Sequence, residues 1–255
     1  MKKILAIALL VAGLSSAHAQ EGVRLGLKGS FFSTWLFNKN VSDQNASLDY
    51  ASSFGPTVGV QAIFMFKETY GMSAEIVYAS HKQKYDGYFG DEDNVFNVET
   101  TVSYLDIPLL FRVASPKGPY FEIGPQFSLL MGAKETLEFD QNSSSEFNYT
   151  DKDFKDDFAG FGVAGVLGFG IDIKLTDKIN LTTGLRFGYM FTDATTEYSE
   201  NELEDLSDKE NLSATSSFAH YEAEKGLGNP QNKLDYQKTS RVFGGLQLGV
   251  QFVLD

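Results

Sequence analysis

The sequence predicts an all-β protein, namely an eight-stranded antiparallel up-and-down transmembrane β-barrel. The first observation is that eight stretches alternate apolar and polar residues, as the two faces of a strand do. The second is that the connections between these stretches are alternately short and long, which is typical of membrane barrels. The third is composition, because 24 glycines and 22 phenylalanines accompany weak helical periodicity in 255 residues. Together these observations favour strands that cross a membrane.

The N-terminal segment has the pattern of a secretory signal peptide. Two lysines precede the apolar run 4–14, and Ala17 and Ala19 form a small-residue cleavage pattern before Gln20. The apolar run is too short to span a bilayer as a helix. We therefore expect residues 1–19 to be a signal peptide. Residues 20–255 are then expected to form one barrel domain, since no Pro/Ser-rich linker divides them.

The charge balance and the absence of cysteine exclude several classes of function. The chain has 34 acidic and 21 basic residues, which give a formal net charge of −13. Such acidity argues against a nucleic-acid partner and against a polybasic protein of the membrane surface. Without cysteine there is no disulfide framework, no thiolate metal site and no cysteine for lipid attachment.

The hairpin within Thr101–Met131 shows the clearest alternation. Its first strand places Leu105 and Ile107 on one face and Asp106 on the other. Its second strand alternates in the same way, and the intervening Ser115–Pro119 has the prolines and glycine of a tight turn. The other six predicted strands are Val23–Leu36, Ser53–Phe66, Gly71–Tyr85, Phe158–Leu175, Ile179–Thr192 and Arg241–Leu254.

The predicted connections fall into two sets by length. The short ones are Lys67–Tyr70, Ser115–Pro119 and Thr176–Lys178. The long ones are Phe37–Ser52, Asp86–Asn97, Leu137–Asp157 and Asp193–Ser240. Outer-membrane barrels have short periplasmic turns and longer external loops, so we expect both termini in the periplasm and the long loops outside. The last loop, Asp193–Ser240, is long and polar, and we expect it to be partly disordered or to carry a short helix near Glu200–Leu212.

Glycines indicate which face of each strand is inside. Most of those within the predicted strands lie on the polar faces: Gly26, Gly59, Gly124, Gly162, Gly168, Gly170, Gly184, Gly188, Gly245 and Gly249, with Gly165 and Gly244 as exceptions. An eight-stranded barrel has room inside only for its own side chains, so small residues beside charged ones favour a polar lumen. A soluble carrier barrel, the alternative, would enclose its apolar faces around a ligand.

The inward faces then carry a set of charged residues. They are Arg24, Lys28, Glu75, Asp106, Arg112, Glu122, Asp172, Arg186 and Arg241. We expect them to form a paired network, because an unpaired buried charge is very costly. Such a network is interpreted as a plug that rigidifies the barrel, with a charged permeation path as the alternative. Aromatic residues near the strand ends are predicted to form girdles at the membrane interfaces: Tyr104, Tyr120, Tyr189, Phe66 and Phe191.

One motif in the first strand of the hairpin resembles a known family. Its residues are Tyr104, Leu105, Asp106, Ile107, Pro108 and Leu109, followed by Leu110. They are similar to the YLEIPLL signature of PorT-like outer-membrane β-barrels of Gram-negative bacteria, with Asp106 in place of the commoner glutamate. The segments 118–125, 157–170 and 184–189 are similar to that family as well. The resemblance implies an outer-membrane barrel, usually without assigned catalysis, and the family's namesake serves protein secretion and gliding.

Few residues are suited to catalysis or metal binding. After the signal segment, the histidines are His81 and His220. His81 is predicted to point inward near the outer end of its strand, close to Ser80 and Ser103, so a Ser–His–acid site of a lipid-modifying enzyme is one alternative. Its inward parity disfavours that reading, because such enzymes place the pair on the lipid-facing surface. We expect no catalytic residue, no cofactor and no metal site.

The expected function is that of a structural or interaction protein of the outer membrane, porin-like and without catalysis. Membership of a secretion or gliding system is the first alternative, and a lipid-modifying enzyme or a ligand-carrying barrel is the second. The expected partners are outer-membrane lipid and lipopolysaccharide, together with a protein partner bound through the external loops. A monomer is expected. Acidic runs in those loops, such as Asp91–Asp93, are interpreted as solvated charge.

Overall fold

The computed structural model describes residues 22–42, 48–88, 95–139, 148–199, 202, 213–220 and 236–254. The predicted signal peptide, residues 1–19, lies outside the described residues. The acidic run Asp91–Asp93 and nearly all of the predicted helix Glu200–Leu212 also lie outside them. Two short α-helices are described, α1 (Lys39–Ser42) and α2 (Ala214–His220). Among the described residues, no helix is both long and apolar enough to cross a bilayer.

The strands form a closed barrel, as predicted. In chain order they are β1 (Val23–Phe37), β2 (Leu48–Ala51), β3 (Phe54–Met65), β4 (Tyr70–Tyr88), β5 (Val95–Ala114), β6 (Pro119–Phe139), β7 (Tyr149–Asp153), β8 (Phe161–Lys174), β9 (Ile179–Met190) and β10 (Ser240–Leu254). Eight of them pair antiparallel around the ring β1-β3-β4-β5-β6-β8-β9-β10, and β10 closes on β1. The short strands β2 and β7 add to β4 and β6.

Three adjacent strands are much longer than their neighbours. β4, β5 and β6 have 19, 20 and 21 residues, whereas β3 and β9 have 12 each. The additional residues lie at the end of the long loops, which we call the outer end. The sequence prediction therefore began two of the long loops, Asp86–Asn97 and Leu137–Asp157, too early. Strand pairing continues to Tyr88 and Phe139.

The two faces of the barrel strands are as predicted. Leu27, Val58 and Leu246 point outward, and 62, 64 and 63 % of their surface is exposed. The inward Arg112 and Arg241 are only 1 and 0 % exposed. The inward glycines have a second role besides saving space. A Cβ on Gly245 would lie 2.1 Å from the carbonyl oxygen of Phe31, so this glycine permits close approach of neighbouring strands.

A β-bulge changes the face assignment in the outer part of β6. Ser103 pairs with Gly132 and Tyr104 pairs with Leu130, so Met131 is the additional residue. Beyond the bulge the inward positions are odd-numbered, and Glu135 becomes buried. The simple alternation of the sequence cannot show this shift, because one inserted residue reverses every later position.

A small apolar core stands above the membrane at the outer end. We call it the outer core, and it consists of Val41, Leu48, Tyr85, Phe96, Val98 and Phe218. The extended ends of β4 and β5, the elements α1 and β2, and the helix α2 all contribute to it. The long loops are thus partly folded onto the barrel.

Candidate functional site

The lumen contains a chain of ion pairs that begins with Glu75 on β4. Its carboxylate accepts from Lys28 Nζ at 2.8 Å, and from Arg186 Nη1 and Nη2 at 2.7 and 2.9 Å. Arg186 on β9 also donates through Nη2 to Glu122 Oε2 at 3.0 Å. Because Lys28, Glu75 and Glu122 lie on different strands, these contacts join opposite walls of the barrel.

The chain continues toward the end of the short turns, which we call the periplasmic end. Arg112 Nη1 donates to Glu122 Oε1 at 2.6 Å, and its Nη2 donates to Asp172 Oδ2 at 2.7 Å. Arg24 then donates to the same Asp172 oxygen at 3.0 Å. The Arg112 guanidinium carbon also lies 3.7 Å from the centre of the Tyr120 ring, a cation–π geometry. We refer to the set Arg24, Lys28, Glu75, Arg112, Glu122, Asp172 and Arg186 as the cross-lumen chain.

A second group, the upper cluster, lies nearer the outer end and contains Asp106. Ser128 Oγ donates to Asp106 Oδ1 at 2.5 Å and accepts from Arg241 Nη2 at 2.8 Å. Arg241 Nη2 is 3.7 Å from Asp106 Oδ1, and its guanidinium carbon lies 4.1 Å from the centre of the Tyr104 ring. His81 completes the cluster, with Nε2 3.5 Å from Asp106 Oδ2.

All nine charged residues predicted to face the lumen are therefore placed there. Seven belong to the cross-lumen chain, and Asp106 and Arg241 belong to the upper cluster. The remaining members of the upper cluster are Thr34, His81 and Ser128. The two groups together connect strands on every side of the barrel, and they leave a cavity of about 10 Å³ beside Lys28, Asp106 and Arg186.

The lumen also contains an apolar layer that the sequence did not predict. Phe32, Leu110, Val166 and Phe243 form a buried cluster among inward side chains. Their inward parity was visible, but the interpretation of the inner face as polar left them out. They separate charged groups from one another, which strengthens each ion pair by lowering the local dielectric constant.

Three of the five aromatic residues predicted to form interface girdles lie on the outer surface of the barrel, and two do not. Phe66, Tyr189 and Phe191 are exposed on the lipid-facing surface, as expected. Tyr104 and Tyr120 were wrongly assigned, because both are inward and buried, where their rings lie against Arg241 and Arg112. Inward parity was the signal that distinguished them, since each shares a face with a charged residue two positions away.

The outer mouth of the barrel is occupied by α2, which two buried carboxylates hold in place. Glu135 Oε1 accepts from the Ala214 backbone N–H at 2.7 Å and from the Tyr149 hydroxyl at 2.8 Å. Its Oε2 accepts from the Thr100 hydroxyl at 2.7 Å. Asp157 Oδ2 accepts from the Ser213 backbone N–H at 2.8 Å. The N-terminal end of α2 is therefore anchored to β6 through Glu135 and to the segment after β7 through Asp157.

The other end of α2 is anchored as well. Phe218 packs in the outer core, and the Ala219 carbonyl accepts from Asn40 Nδ2 at 3.1 Å and from the Gln237 N–H at 2.8 Å. Thr215, Ser216, Phe218, Ala219 and His220 are all buried. The position of this helix was not predicted, because its contacts with Asn40, Glu135 and Asp157 join segments 56 to 179 positions apart in the chain.

Burial controls the protonation of Glu135, which lies outside the membrane-spanning part of β6. Desolvation raises the pKa of its carboxyl group, and the hydrogen bonds from Ala214, Thr100 and Tyr149 act in the opposite direction. The pKa of the Tyr149 hydroxyl is raised by burial and by the neighbouring Glu135 carboxylate. Tyr149 consequently remains a hydrogen-bond donor at physiological pH.

Within the described residues, neither His81 nor His220 is hydrogen-bonded to a serine side chain. His81 points inward, as predicted, and its Nδ1 is 2.8 Å from Thr34 Oγ1. Ser80 and Ser103 are paired opposite each other but lie on the other face of the sheet. His220 is buried in α2, with its ring 5.0 Å from the ring of Tyr236. In the described part of the chain, no group of three or more acidic, histidine or cysteine side chains is arranged to hold a metal ion.

Comparison with known proteins gives one family. Residues 16–196, more than half of the chain, match the model of the family described as outer membrane protein beta-barrel domain. A search of curated protein sequences found no match.

Among solved structures, the chain is similar to three outer-membrane barrels at low identity. Neisserial surface protein A (NspA) is 12 % identical, with 91 % of this chain and 97 % of that chain covered and a TM-score of 0.39. OprG from Pseudomonas aeruginosa is 12 % identical, with 91 and 96 % covered and a TM-score of 0.34. Ail of Yersinia pestis is 8 % identical, with 92 and 99 % covered and a TM-score of 0.35.

Proposed function

The chain belongs to the outer membrane protein beta-barrel domain family and lies in the outer membrane, and from this premise we propose that it is a closed, non-catalytic barrel. In this proposal the protein acts as a structural and interaction component, and its outer surface is the part that meets partners. Lipopolysaccharide is the lipid partner, and a protein partner binds through the external loops. The barrel acts as a monomer.

The observation that carries this proposal is the double obstruction of the lumen. The cross-lumen chain spans the barrel within the membrane, where Glu75, Arg112, Glu122 and Arg186 are each at most 3 % exposed. Above it, α2 occupies the outer mouth and is held by Glu135 and Asp157. An eight-stranded barrel has an interior just wide enough for its own side chains. These features favour a closed lumen over a charged permeation path.

We expect the wild-type protein to show no steady ion conductance in a planar lipid bilayer. A variant lacking residues 213–220 is expected to remain non-conducting, because the cross-lumen chain still spans the lumen. Single-channel recording of both proteins checks this, with a large porin as the positive control. Steady conductance of the wild-type barrel that falls when Glu75 or Arg186 is neutralised would support the permeation path instead.

The PorT-like secretion role is a second candidate, favoured by the motif that begins at Tyr104. The inward residues of that motif, Tyr104 and Asp106, make the contacts with Arg241 in the upper cluster. The motif therefore encodes packing of the lumen, and it carries information about fold more than about a partner. Deleting the gene and measuring the secreted proteins of the host tests the role, since a secretion component is expected to reduce their export.

The enzyme alternative is less well supported by the same geometry. His81 contacts Thr34 and Asp106 inside the barrel, and all three side chains are at most 4 % exposed. A lipid substrate in the membrane would meet the opposite face of β4. We propose that this group orients Arg241 and has no catalytic part, and a His81→Ala variant with unchanged lipid composition of the outer membrane is the expected result.

The topology gives a prediction for intact cells. Trypsin added outside is expected to cut the loop Asp193–Ser240 at Lys209, Lys225 or Lys233, because long loops face outward in this class. It is expected to spare Lys117, which lies in the turn at the periplasmic end. Mass spectrometry of the fragments identifies the sites, and digestion of the detergent-solubilised barrel is the control. Cleavage at Lys117 alone in intact cells would show the reverse orientation.

A further inference from the structure

A groove of about 570 Å³ lies on the outer surface of the barrel, across β6, β8 and β9. Its floor includes Gly165, which pairs with Pro125 and with Tyr189. The ring of Phe191 leans over this glycine, since a Cβ at position 165 would lie 2.8 Å from Phe191 Cζ. We call this groove the trench. Its lining is almost entirely apolar, although it faces away from the lumen. It is therefore a depression in the surface that contacts lipid.

Two rows of large side chains form the walls of the trench. On the outer side, Val163 lies beside Phe191, whose N–H donates to the Val163 carbonyl at 2.8 Å. The other wall lies nearer the periplasmic end, where Ile123 pairs with Leu167 and Leu167 pairs with Phe187. Val163 and Leu167 are four residues apart on β8, so their α-carbons are about 13 Å apart. The Phe191 ring takes up part of this distance, because it leans over Gly165, and a hydrocarbon chain in the trench would lie between that ring and Leu167.

The trench lies in the half of the membrane nearest the outer end. Gly165 is the fifth residue of β8, which begins at Phe161 at the outer end and runs to Lys174. Tyr189 and Phe191 are exposed at the same end, where aromatic rings mark the membrane interface. A molecule that enters the trench from this interface is consequently a component of the outer leaflet.

The ammonium group of Lys238 lies at the outer end of the trench. The exposed Lys238 donates through Nζ to the backbone carbonyl oxygen of Phe191, which places its ammonium group beside the wall residue. The Tyr189 hydroxyl is close by and donates to Ser240 Oγ at 3.2 Å. This arrangement of an apolar trench below a cation and hydroxyl groups matches a lipid with hydrocarbon chains and an anionic head group.

We propose that the trench binds one acyl chain of lipopolysaccharide, with Lys238 contacting a phosphate of the lipid A head group. The trench is narrow and concave, so a single chain fills it by dispersion contacts that a flat barrel surface does not offer. The site is on the outside of the barrel, and it depends on the position of the protein in the outer leaflet. The site rests on the lipopolysaccharide partner named in the proposed function. It does not depend on a closed lumen, so loss of lipid binding and a conducting lumen are distinguishable failures.

Native mass spectrometry of the mature barrel in detergent, with added lipid A, tests the site. The wild type is expected to retain one lipid A molecule. Gly165→Leu displaces the Phe191 ring, because a Cβ at this position would lie 2.8 Å from Phe191 Cζ, and the leucine and the displaced ring together obstruct the trench. The variant is expected to lower the apparent affinity about fivefold or more, since most dispersion contacts with the chain are lost. The matched control is Gly29→Leu, because Gly29 also faces outward but lies on β1, away from the trench.

The head-group contact has its own comparison. Lys238→Gln is expected to reduce the preference for lipid A over its dephosphorylated form, while Lys84→Gln, a lysine on the other side of the outer mouth, is expected to preserve that preference. If Gly165→Leu does not fold, Pro125→Leu fills the trench from β6 and replaces it. Folding is checked by the heat-dependent gel mobility of the barrel.

Three outcomes would overturn the proposal. Equal lipid retention by the Gly165 and Gly29 variants would mean that bound lipid is distributed over the whole surface. Equal affinity of the wild type for phosphorylated and dephosphorylated lipid A would remove the role of Lys238. A wild-type dimer that becomes monomeric in the Gly165→Leu variant, without a change in bound lipid, would identify the trench as an interface between two copies of the chain.

Discussion

Replacing Arg186 by alanine is expected to destabilise the barrel by about 3–5 kcal/mol, the cost typical of breaking a buried ion pair. Arg186 contacts both Glu75 and Glu122, and all three side chains are buried. After the substitution, Glu75 keeps its ion pair with Lys28 and a hydrogen bond from Ser73 Oγ, and Glu122 keeps its ion pair with Arg112. The negative charges of Glu75 and Glu122 then repel each other, because the guanidinium that lay between them is gone. The loss of folding free energy therefore exceeds that of a single hydrogen bond.

Two variants control for the effect of Arg186→Ala. Leu185→Ala, on the lipid-facing side of the same strand, is expected to cost much less, because it removes a few carbon atoms from contact with lipid and leaves no buried charge unpaired. Arg24→Ala also removes a guanidinium, but Arg24 ends the cross-lumen chain and its side chain is 24 % exposed. Unfolding by guanidinium chloride in lipid vesicles measures all three. Equally small effects for Arg186 and Leu185 would contradict the assignment of the inner face.

Replacing Glu135 by alanine is expected to release α2 from the outer mouth. The substitution leaves the Ala214 N–H and the Tyr149 hydroxyl without their acceptor, and each buried unsatisfied group costs about 1–3 kcal/mol. The Thr100 hydroxyl can turn to Thr215 Oγ1 instead. The barrel strands are expected to remain folded, since the ladder of β5 and β6 does not depend on this side chain. Hydrogen exchange of residues 213–220, compared with that of β9, measures the release.

The variant Glu135→Gln is the matched control, and it is expected to keep α2 in place. Its amide oxygen accepts from Ala214 and Tyr149, and its amino group donates to Thr100, whose own hydroxyl proton then turns to Thr215 Oγ1 at 3.0 Å. A release of α2 by glutamine as large as that by alanine would show that the negative charge, and not the hydrogen bonding, holds the helix.

The raised pKa of Glu135 also predicts in which direction the docking of α2 changes with pH. In the docked state, burial makes the carboxyl group hold its proton more tightly than in water. Docking of α2 is therefore favoured most at acid pH, and it weakens as pH rises from the ordinary glutamate value of about 4.3 through the raised value. Exchange rates of residues 213–220, corrected for intrinsic pH dependence, are expected to reveal this trend in the wild type and not in Glu135→Gln.

The barrel could be read from the sequence wherever the outward face contacts lipid. In β4, Met72, Ile76 and Tyr78 are apolar and outward, and Glu75 is polar and inward, as predicted. The same regularity placed the nine charged residues in the lumen. The nearly exclusive use of apolar residues on one face is a strong signal because the bilayer enforces it on every strand.

Above the membrane the signal reverses, and there prediction failed. Tyr85 and Phe96 are inward and buried in the outer core, while Lys84 and Asn97 beside them are outward and meet water. Alternation persists, but the apolar residues change sides at the membrane surface, so the strand ends resembled loops. The contacts of Glu135 with α2 were not predictable for a different reason, since they join segments 79 positions apart in the chain.

The unequal lengths of the strands have a consequence for anything that approaches the cell from outside. β5 exceeds β9 by about eight residues, and with strands tilted by about 40° the difference in height is about 20 Å. The ends of β4, β5 and β6 thus project farther from the membrane than the ends of β8 and β9. Among these strands, a molecule that approaches from outside the cell would meet the ends of β4, β5 and β6 first.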